Sequence, residues 1–276
     1  MRNRIIKILI ETIAVILVLG IFGLPMTYVF LNAGKTPVEA AEMKLSLSAN
    51  PQYLKNFYDV VSNLNFMIIR AFFNSIIITL MSIVILIIIS APVGYVLARR
   101  KSKIISLIYV LILSGLMIPP AIVPTIWILK VLGLYKTLIS MVFIEISLSF
   151  SFSVLLFRAH VATIPKELDE ASFIDGCNSI QLFVHVIFPL LKPVAVTVAI
   201  LTSLIIFNDF VNPLYFLPGA KNVTIQMTLY NFISQYRTEW NLLFANVLLI
   251  SIPPLLFFII FNKKIVSGMI AGSVKG

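Results

Sequence analysis

The sequence predicts an all-α polytopic membrane protein with six transmembrane helices and a helical cytoplasmic loop. Of its 276 residues, 60% are hydrophobic and 12% are charged, whereas a soluble domain averages about 45–50% apolar and about 25% charged. The mean hydropathy is +1.05, and the apolar residues form six long segments. This composition excludes a disordered chain and an ordinary soluble enzyme. A single cysteine also excludes an intramolecular disulfide and a cysteine-based metal site.

Each predicted span exceeds or approaches the roughly 20 apolar residues that cross a bilayer. The spans are 8–31, 71–98, 104–129, 137–157, 191–217 and 241–261. The first is longer than the 7–15 apolar residues of a signal peptide, and no small-residue cleavage site follows it, so we expect a retained anchor. Prolines lie in or beside several spans, a pattern that favours a transporter over a simple anchor.

Basic residues orient these spans. One set of loops and ends carries 13 lysines and arginines and the other carries 8, with four bases in the short loop 99–103. The positive-inside rule therefore predicts that both termini are cytoplasmic. The net charge of +10 then reflects orientation and gives no support for a nucleic-acid partner.

We expect one membrane domain over 1–276. Its parts are an N-terminal span with an external segment (1–70), a core (71–262) and a cytoplasmic tail (263–276). A short helix around 51–63 is expected in the external segment. The largest cytoplasmic loop is 158–190.

The pattern of this loop predicts two short helices. Thr163 and Pro165 suit a first turn, Gly176 suits a helix end, and Ser179 can cap a second helix that runs to a break at Pro189. Four of the chain's 11 acidic residues fall here: Glu167, Asp169, Glu170 and Asp175. The face formed by Leu168, Ala171, Ser172 and Asp175 is either a solvated connector or a surface that docks on a basic partner.

At these residues the sequence resembles a known family. The stretch ELDEASFIDG (167–176), followed by FPLLKP (188–193), resembles the EAA motif of bacterial ATP-binding-cassette importer permeases. Glu170, Ala171, Asp175, Gly176 and Pro189 match that motif, and Ser172 replaces its second alanine. The resemblance implies a coupling helix that inserts into a partner ATPase. The residues expected to couple to it are Glu167, Asp169, Glu170, Ala171, Ser172, Asp175, Gly176 and Pro189.

Other stretches resemble the same family. They are FFNSIIIT (72–79), GYVLARRKSK (94–103), GLMIPPAIVP (115–124), LGLYKTLIS (132–140) and FNDFVNPL (207–214). The end, SGMIAGSVKG (267–276), resembles the tail of the second permease of maltose-type carbohydrate importers. This implies a type I importer permease fold, and a tail that contacts the ATPases through Gly272, Lys275 and Gly276. The alternative for the tail is a frayed terminus.

The resemblance also implies partners. These are a different second permease, two ATPase subunits and an extracellular solute-binding protein, assembled in the bacterial plasma membrane around a carbohydrate substrate. The chain has no G-x-x-x-x-G-K-[ST] phosphate loop. We therefore expect no catalytic residues, cofactor or metal on this chain, with ATP and magnesium bound by the partner ATPases.

Polar residues within the spans are candidates for the substrate path, because such groups are costly in a membrane. Glu145 lies in the fourth predicted span, and Asn208, Asp209 and Asn212 lie in the fifth. Their alternative role is hydrogen bonding between helices.

The leading function, implied by the resemblance, is import of a carbohydrate, with a polyol, glycerol phosphate or other small solute as the alternative. A secondary transporter would show inverted repeats, and a channel would show a ring of charged residues along its pore. A membrane enzyme would show a cluster of catalytic residues. None of these features is evident in the sequence.

Overall fold

The computed structural model describes residues 2–233 and 238–273, with side chains at 7, 9–233 and 238–261. Over this range every regular element is helical, apart from one isolated bridge between Ile233 and Thr238. The chain divides into two compact units. One comprises Met1–Ala71 and Ile225–Pro253, and the other comprises Phe72–Thr224 and Pro254–Gly276.

The first unit begins with the N-terminal span and continues into the external segment. Helix α1 joins Arg2–Val18 to Leu24–Ala33 through a π-helical stretch, Leu19–Gly23. Helix α2 is Pro37–Ala41 and opens with a capping box made by Thr36 and Glu39. Helix α3 covers 53–62, which confirms the short helix expected around 51–63, and residues 63–66 leave helical geometry.

Buried hydrogen bonds hold the external segment. Lys35 is 1% exposed and its Nζ donates to Asn32 Oδ1 at 3.0 Å and to the Lys44 carbonyl at 2.5 Å. Asn56 Nδ2 donates to the Ala33 and Lys35 carbonyls. Hydrogen bonds from the Ser48 hydroxyl, and then from the Thr36 backbone, lower the pKa of Glu39. The segment is therefore a folded structure rather than a linker.

Helices of the second unit alternate between long spans and short elements. Helix α4 covers 67–99, beginning at the end of the first unit. The helices after it are α5 (Lys103–Ser114), α6 (Ile122–Val131), α7 (Leu138–Val161), α8 (Glu167–Ile174), α9 (Ser179–Asn208) and α10 (Val211–Phe216). A 3₁₀ helix, Gln226–Phe232, then belongs to the first unit, and helix α11, Trp240–Ser273, is in the first unit as far as Pro253 and in the second from Pro254.

Five helical stretches of the described chain are long and apolar enough to cross a membrane, so the protein is a multi-pass membrane protein. They are Leu9–Ala33, Tyr53–Arg99, Leu138–Val161, Ser179–Asn208 and Trp240–Phe261. The predicted third span, 104–129, is instead divided into α5 and α6 by residues 115–121, which contain Pro119 and Pro120. The 12 residues of α5 reach only about 18 Å against a hydrocarbon core of about 30 Å. The count of six spans stays a prediction.

The fifth predicted span has different limits from those expected at 191–217. Helix α9 starts at Ser179, is capped by Asn178 rather than Ser179, and ends at Asn208 because Asp209 is extended (φ −68°, ψ 127°). The predicted break at Pro189 is wrong. A π-helical stretch, Leu182–Ile187, precedes this proline, and such a local adjustment lets a membrane helix continue past a residue without an N–H.

The core of the second unit lies where α4, α7 and α9 meet. Its fully buried members include Leu86, Phe157, Val161, Leu182 and Leu191. Gly94 of α4 lies directly against α7, because a Cβ atom built there would be 2.6 Å from Phe157 Cβ and 2.9 Å from the Arg158 nitrogen. A small residue at this position is what allows the two helices to approach.

We predict that Gly94→Ala destabilises the protein by about 1–3 kcal/mol, because the added methyl must displace backbone and not only a side chain. The measurement is the midpoint of thermal unfolding in detergent. Gly20→Ala is the control, because a Cβ atom there meets nothing within 4 Å and should leave the midpoint unchanged. Equal midpoints for the two variants would contradict the close contact.

Candidate functional site

The loop predicted to be cytoplasmic, 158–190, contains helix α8, which has a well-defined end. The helix begins after Lys166, slightly later than the first turn expected from Thr163 and Pro165, and has three acidic residues in its first turn. Gly176 has φ +82°, its N–H donates to the Phe173 carbonyl, and the Cys177 N–H donates to the Ser172 carbonyl. These two bonds form a Schellman motif, so the predicted role of Gly176 as the helix end is confirmed.

The predicted coupling residues divide between the outside and the inside of the unit. Those exposed are Glu167, Glu170, Ala171, Asp175 and Gly176. Asp169 and Ser172 are buried at 9% and 7% exposure, and the Ser172 hydroxyl donates to the Leu168 carbonyl at 2.7 Å. The expected face of Leu168, Ala171, Ser172 and Asp175 is thus not a single outward surface, because Ser172 faces inward. Pro189 lies within α9, beyond its π-helical stretch.

Asp169 is held by Arg99, the last residue of α4. The Arg99 guanidinium donates from Nε to Asp169 Oδ2 at 2.8 Å and from Nη2 to Oδ1 at 3.3 Å. The Tyr95 hydroxyl donates to the same Oδ2 at 3.0 Å. Both charged side chains are largely buried, with 10% and 13% exposure, so this bidentate pair is far better shielded than a surface salt bridge.

Arg99 also binds the backbone that connects α7 to α8. It donates to the carbonyls of Val161, Ile164 and Pro165 at 3.4, 3.0 and 3.3 Å. Val161 is the last residue of α7, where a cation is favoured by the helix dipole. One guanidinium therefore joins the ends of α4 and α7 to α8. We call Arg99, Asp169 and Tyr95 the arginine clamp.

Sequence reasoning missed Arg99 and Tyr95 as site residues. Both lie in GYVLARRKSK, where Arg99 was counted only as an orienting charge of the loop 99–103. Seventy residues separate Arg99 from Asp169, and no local pattern pairs residues that far apart.

Exposed apolar side chains accompany the exposed acids around α8. Phe173, Ile174 and Ile180 are 53%, 86% and 76% exposed. Large exposed apolar residues beside a cluster of charge are typical of a protein–protein contact. We call the exposed surface formed by Glu167, Glu170, Ala171, Phe173 and Ile174 the docking surface, after the role predicted for it.

Within the spans, the structure brings together three of the four predicted path residues. Glu145 of α7, Asp209 and Asn212 line one cleft of about 250 Å³, and the Glu145 and Asp209 carboxyl groups interact. Asn208 does not line this cleft, and its Nδ2 donates to the Leu204 carbonyl. Asn208 and Asn212 were both predicted in the fifth span, but the break at Asp209 places Asn208 at the end of α9 and Asn212 in α10.

The remaining predicted site residues lie at the C-terminus. Gly272 belongs to α11, whereas Lys275 and Gly276 lie outside the described residues. His160 and His185 contact the backbone carbonyls of Leu190 and Gln181. Over the described part of the chain, no group of three or more His, Cys, Asp or Glu side chains is placed to hold a metal ion.

The family model described as "Binding-protein-dependent transport system inner membrane component" matches residues 90–270, which is well over half of the chain. The chain belongs to this family. The matched range includes the arginine clamp, the docking surface and the cleft. Permeases of this family are transport subunits, and membership agrees with the several membrane-spanning helices of the structure.

Curated relatives extend the similarity over most of the chain. A probable starch degradation products transport system permease protein, AmyC of Thermoanaerobacterium thermosulfurigenes, is 32% identical over 255 residues, covering 91% of both chains. The melibiose/raffinose/stachyose import permease protein MelC of Bacillus subtilis is 32% identical over 210 residues, 75% of this chain and 76% of that protein.

A solved structure shares the fold. It is the crystal structure of a bacterial ABC transporter involved in the import of the acidic polysaccharide alginate, with a TM-score of 0.81, 17% identity, and coverage of 95% of this chain and 97% of that chain. At this identity the similarity shows the fold alone.

The arginine clamp generates a prediction about α8. Removing one partner of a buried ion pair costs about 3–5 kcal/mol, so Arg99→Leu should release α8 and speed amide hydrogen exchange over 167–174 by about tenfold or more. Arg100→Leu is the matched control, because it removes an equal charge from an exposed neighbouring position. Equal exchange in the two variants would show that the clamp does not hold α8.

Proposed function

We propose that this permease is the transmembrane subunit of an ATP-driven importer of carbohydrates, with oligosaccharides as the preferred class. The observation that carries the proposal is α8. This short helix lies between two spans, exposes Glu170 and Ala171 beside apolar Phe173 and Ile174, and is attached to the spans through Arg99. Such an element suits the transfer of force from a partner protein.

The substrates in the names of the relatives support a carbohydrate as the transported solute. Their printed substrates are starch degradation products, melibiose, raffinose, stachyose and, for AraQ of Bacillus subtilis at 27% identity, arabinooligosaccharides. The shared feature is an oligosaccharide rather than one sugar. A polyol, glycerol phosphate or other small solute is the alternative within the family.

In the proposed mechanism, energy comes from partner subunits. Two ATPases bind ATP with magnesium in the cytoplasm, and their closure moves the docked α8. Because the clamp joins α8 to the ends of α4 and α7, this motion tilts whole spans rather than bending a loop, and rigid-body tilting alternates the access of a central path. Docking on the ATPases is assigned to the docking surface together with exposed Asp175 and Gly176 at the end of α8. Asp169 and Ser172 position α8, and Pro189 lies in the following helix.

The proposed assembly also contains a second, different permease and an extracellular solute-binding protein. The 13-to-8 distribution of basic residues supports cytoplasmic termini in the bacterial plasma membrane. The tail, with Gly272, Lys275 and Gly276, is proposed to reach the ATPases.

We expect Glu170→Lys to abolish sugar uptake while the two permeases still assemble, because it reverses a charge on the docking surface without removing a buried contact. Gly176→Asp should do the same, since a φ of +82° strains any residue with a Cβ atom and misdirects the end of α8. The measurements are uptake by proteoliposomes of the complete transporter and copurification of the ATPases.

Glu42→Lys is the control for these variants. It makes the same charge reversal on the external segment, where Glu42 forms an exposed ion pair with Lys44 at 3.1 Å. Uptake should stay near the level of the unmodified transporter. Normal uptake by Glu170→Lys and Gly176→Asp would overturn docking through α8.

A further inference from the structure

The cleft in the second unit has two chemically different halves. Its polar half contains Glu145, Ser149, Thr202, Asp209 and Asn212. Its apolar half contains Leu148, Phe152 and Ile205, which are 39%, 37% and 59% exposed, so the cleft opens to the surface of the unit. A volume of about 250 Å³ is near the scale of one sugar ring and below the roughly 300–1,000 Å³ of typical drug-sized sites.

Glu145 lies beside Asp209, with whose carboxyl group it interacts, and it still has one unpaired oxygen. The residue is 2% exposed, and its Oε1 atom is buried without a hydrogen-bond partner among the described residues. Buried polar side chains are nearly always paired, and an unpaired one in a span is expensive. Glu145 is among the residues that line the cleft, so its carboxyl group is a candidate partner for a ligand bound there.

Asp209 and Asn212 are held in place by bonds of their own. Asp209 Oδ1 accepts the N–H groups of Val211 and Asn212 at 3.0 and 3.3 Å, and Oδ2 accepts the Asn212 side-chain amide at 2.7 Å. These bonds begin α10 and fix one wall of the cleft. Thr202 is fully buried, and its hydroxyl donates to the Val198 carbonyl at 2.7 Å, so it is paired within α9.

This combination matches a neutral carbohydrate better than an ion. A sugar ring has hydroxyl groups along its edge and C–H groups on its faces. The polar half can bond the hydroxyls and the Phe152 side can cover a C–H face, whereas a cation would leave the apolar half unused. A carboxyl oxygen accepts a hydroxyl hydrogen, and a protonated carboxyl also donates one.

We propose that this cleft binds one sugar unit of the transported oligosaccharide, with Glu145 hydrogen-bonding a sugar hydroxyl and Phe152 packing on the ring. The inference rests on the proposed function, because it takes the substrate class from it. It adds that this chain, and not its partner permease alone, carries a sugar subsite.

The test uses the complete transporter in proteoliposomes with its binding protein, and radiolabelled maltotriose, raffinose and arabinotriose as probes. The quantity compared is sugar taken up per ATP hydrolysed. Glu145→Leu should lower this ratio by about tenfold or more, the value of one strong hydrogen bond. Glu145→Gln, whose amide can still accept and donate, should stay within about twofold.

A matched pair on α7 keeps the test decisive if Glu145→Leu fails to assemble. Ser149→Ala removes a cleft hydroxyl and should lower the ratio by about threefold. Ser147→Ala, two residues away, removes a hydroxyl that donates to the Phe143 carbonyl and is exposed outside the cleft, so it should change nothing.

Three results would count against the inference. An unchanged ratio for Glu145→Leu and Ser149→Ala would exclude the sugar subsite while leaving carbohydrate import intact. Equal losses for Ser147→Ala and Ser149→Ala would show a packing effect. No uptake of any of the three sugars by the unmodified transporter would contradict the carbohydrate function itself, and the subsite with it.

Discussion

The hydrocarbon interior of a membrane offers no hydrogen-bond partners, and this constraint decides where the helices of this permease can be interrupted. Each unpaired backbone group costs several kcal/mol in such a medium, so every break requires a local replacement. At Asp209 the carboxyl group accepts the two N–H groups that begin α10. Before Pro189, a π-helical stretch keeps the helix continuous where a break was expected. The break at Asp209 has a further consequence, because it turns the chain so that Asn212 joins the cleft and Asn208 does not.

The same logic applies to α8, which lies outside the spans. A helix of eight residues is too short to be stable alone in water, and it therefore depends on what holds its two ends. Its C-terminus is closed by the Schellman motif at Gly176. Near its N-terminus, Asp169 is fixed by Arg99, which also binds carbonyls at the end of α7. An element held in this way moves as part of the spans, and the exposed acids on it are carried with it.

Hydropathy located the long helices, although the limits of the fifth were wrong, because a span is defined by its own composition and needs no distant partner. The helix end at Gly176 was predictable for the same reason, since positive φ is a local requirement. The division of 104–129 into α5 and α6 was missed because apolar content continues through Pro119 and Pro120 and hides the break. The Arg99–Asp169 pair was missed because only the folded chain brings residues 70 positions apart together. The pattern marked Asp169 as an acid of the docking surface, but burial gives it an internal partner.

The acidic residues of this chain therefore fall into two groups, according to whether their carboxyl oxygens accept hydrogen bonds from within the protein. The carboxyl oxygens of Asp169 and Asp209 accept hydrogen bonds from internal donors and hold the structure, whereas Glu145 has an unpaired oxygen in a cleft and Glu170 faces outward.

Helix α7 connects the cleft to the arginine clamp. Glu145 lies 16 residues before Val161, about 24 Å along one helix, and the Val161 carbonyl is bound by Arg99. A displacement of α8 that moves this end of α7 must also move the wall of the cleft that carries Glu145, because a continuous hydrogen-bonded helix transmits the motion along its length. The clamp and the cleft thus lie along one continuous helix, α7, and under the proposed function this helix is the physical route from a partner docked on α8 to the cleft.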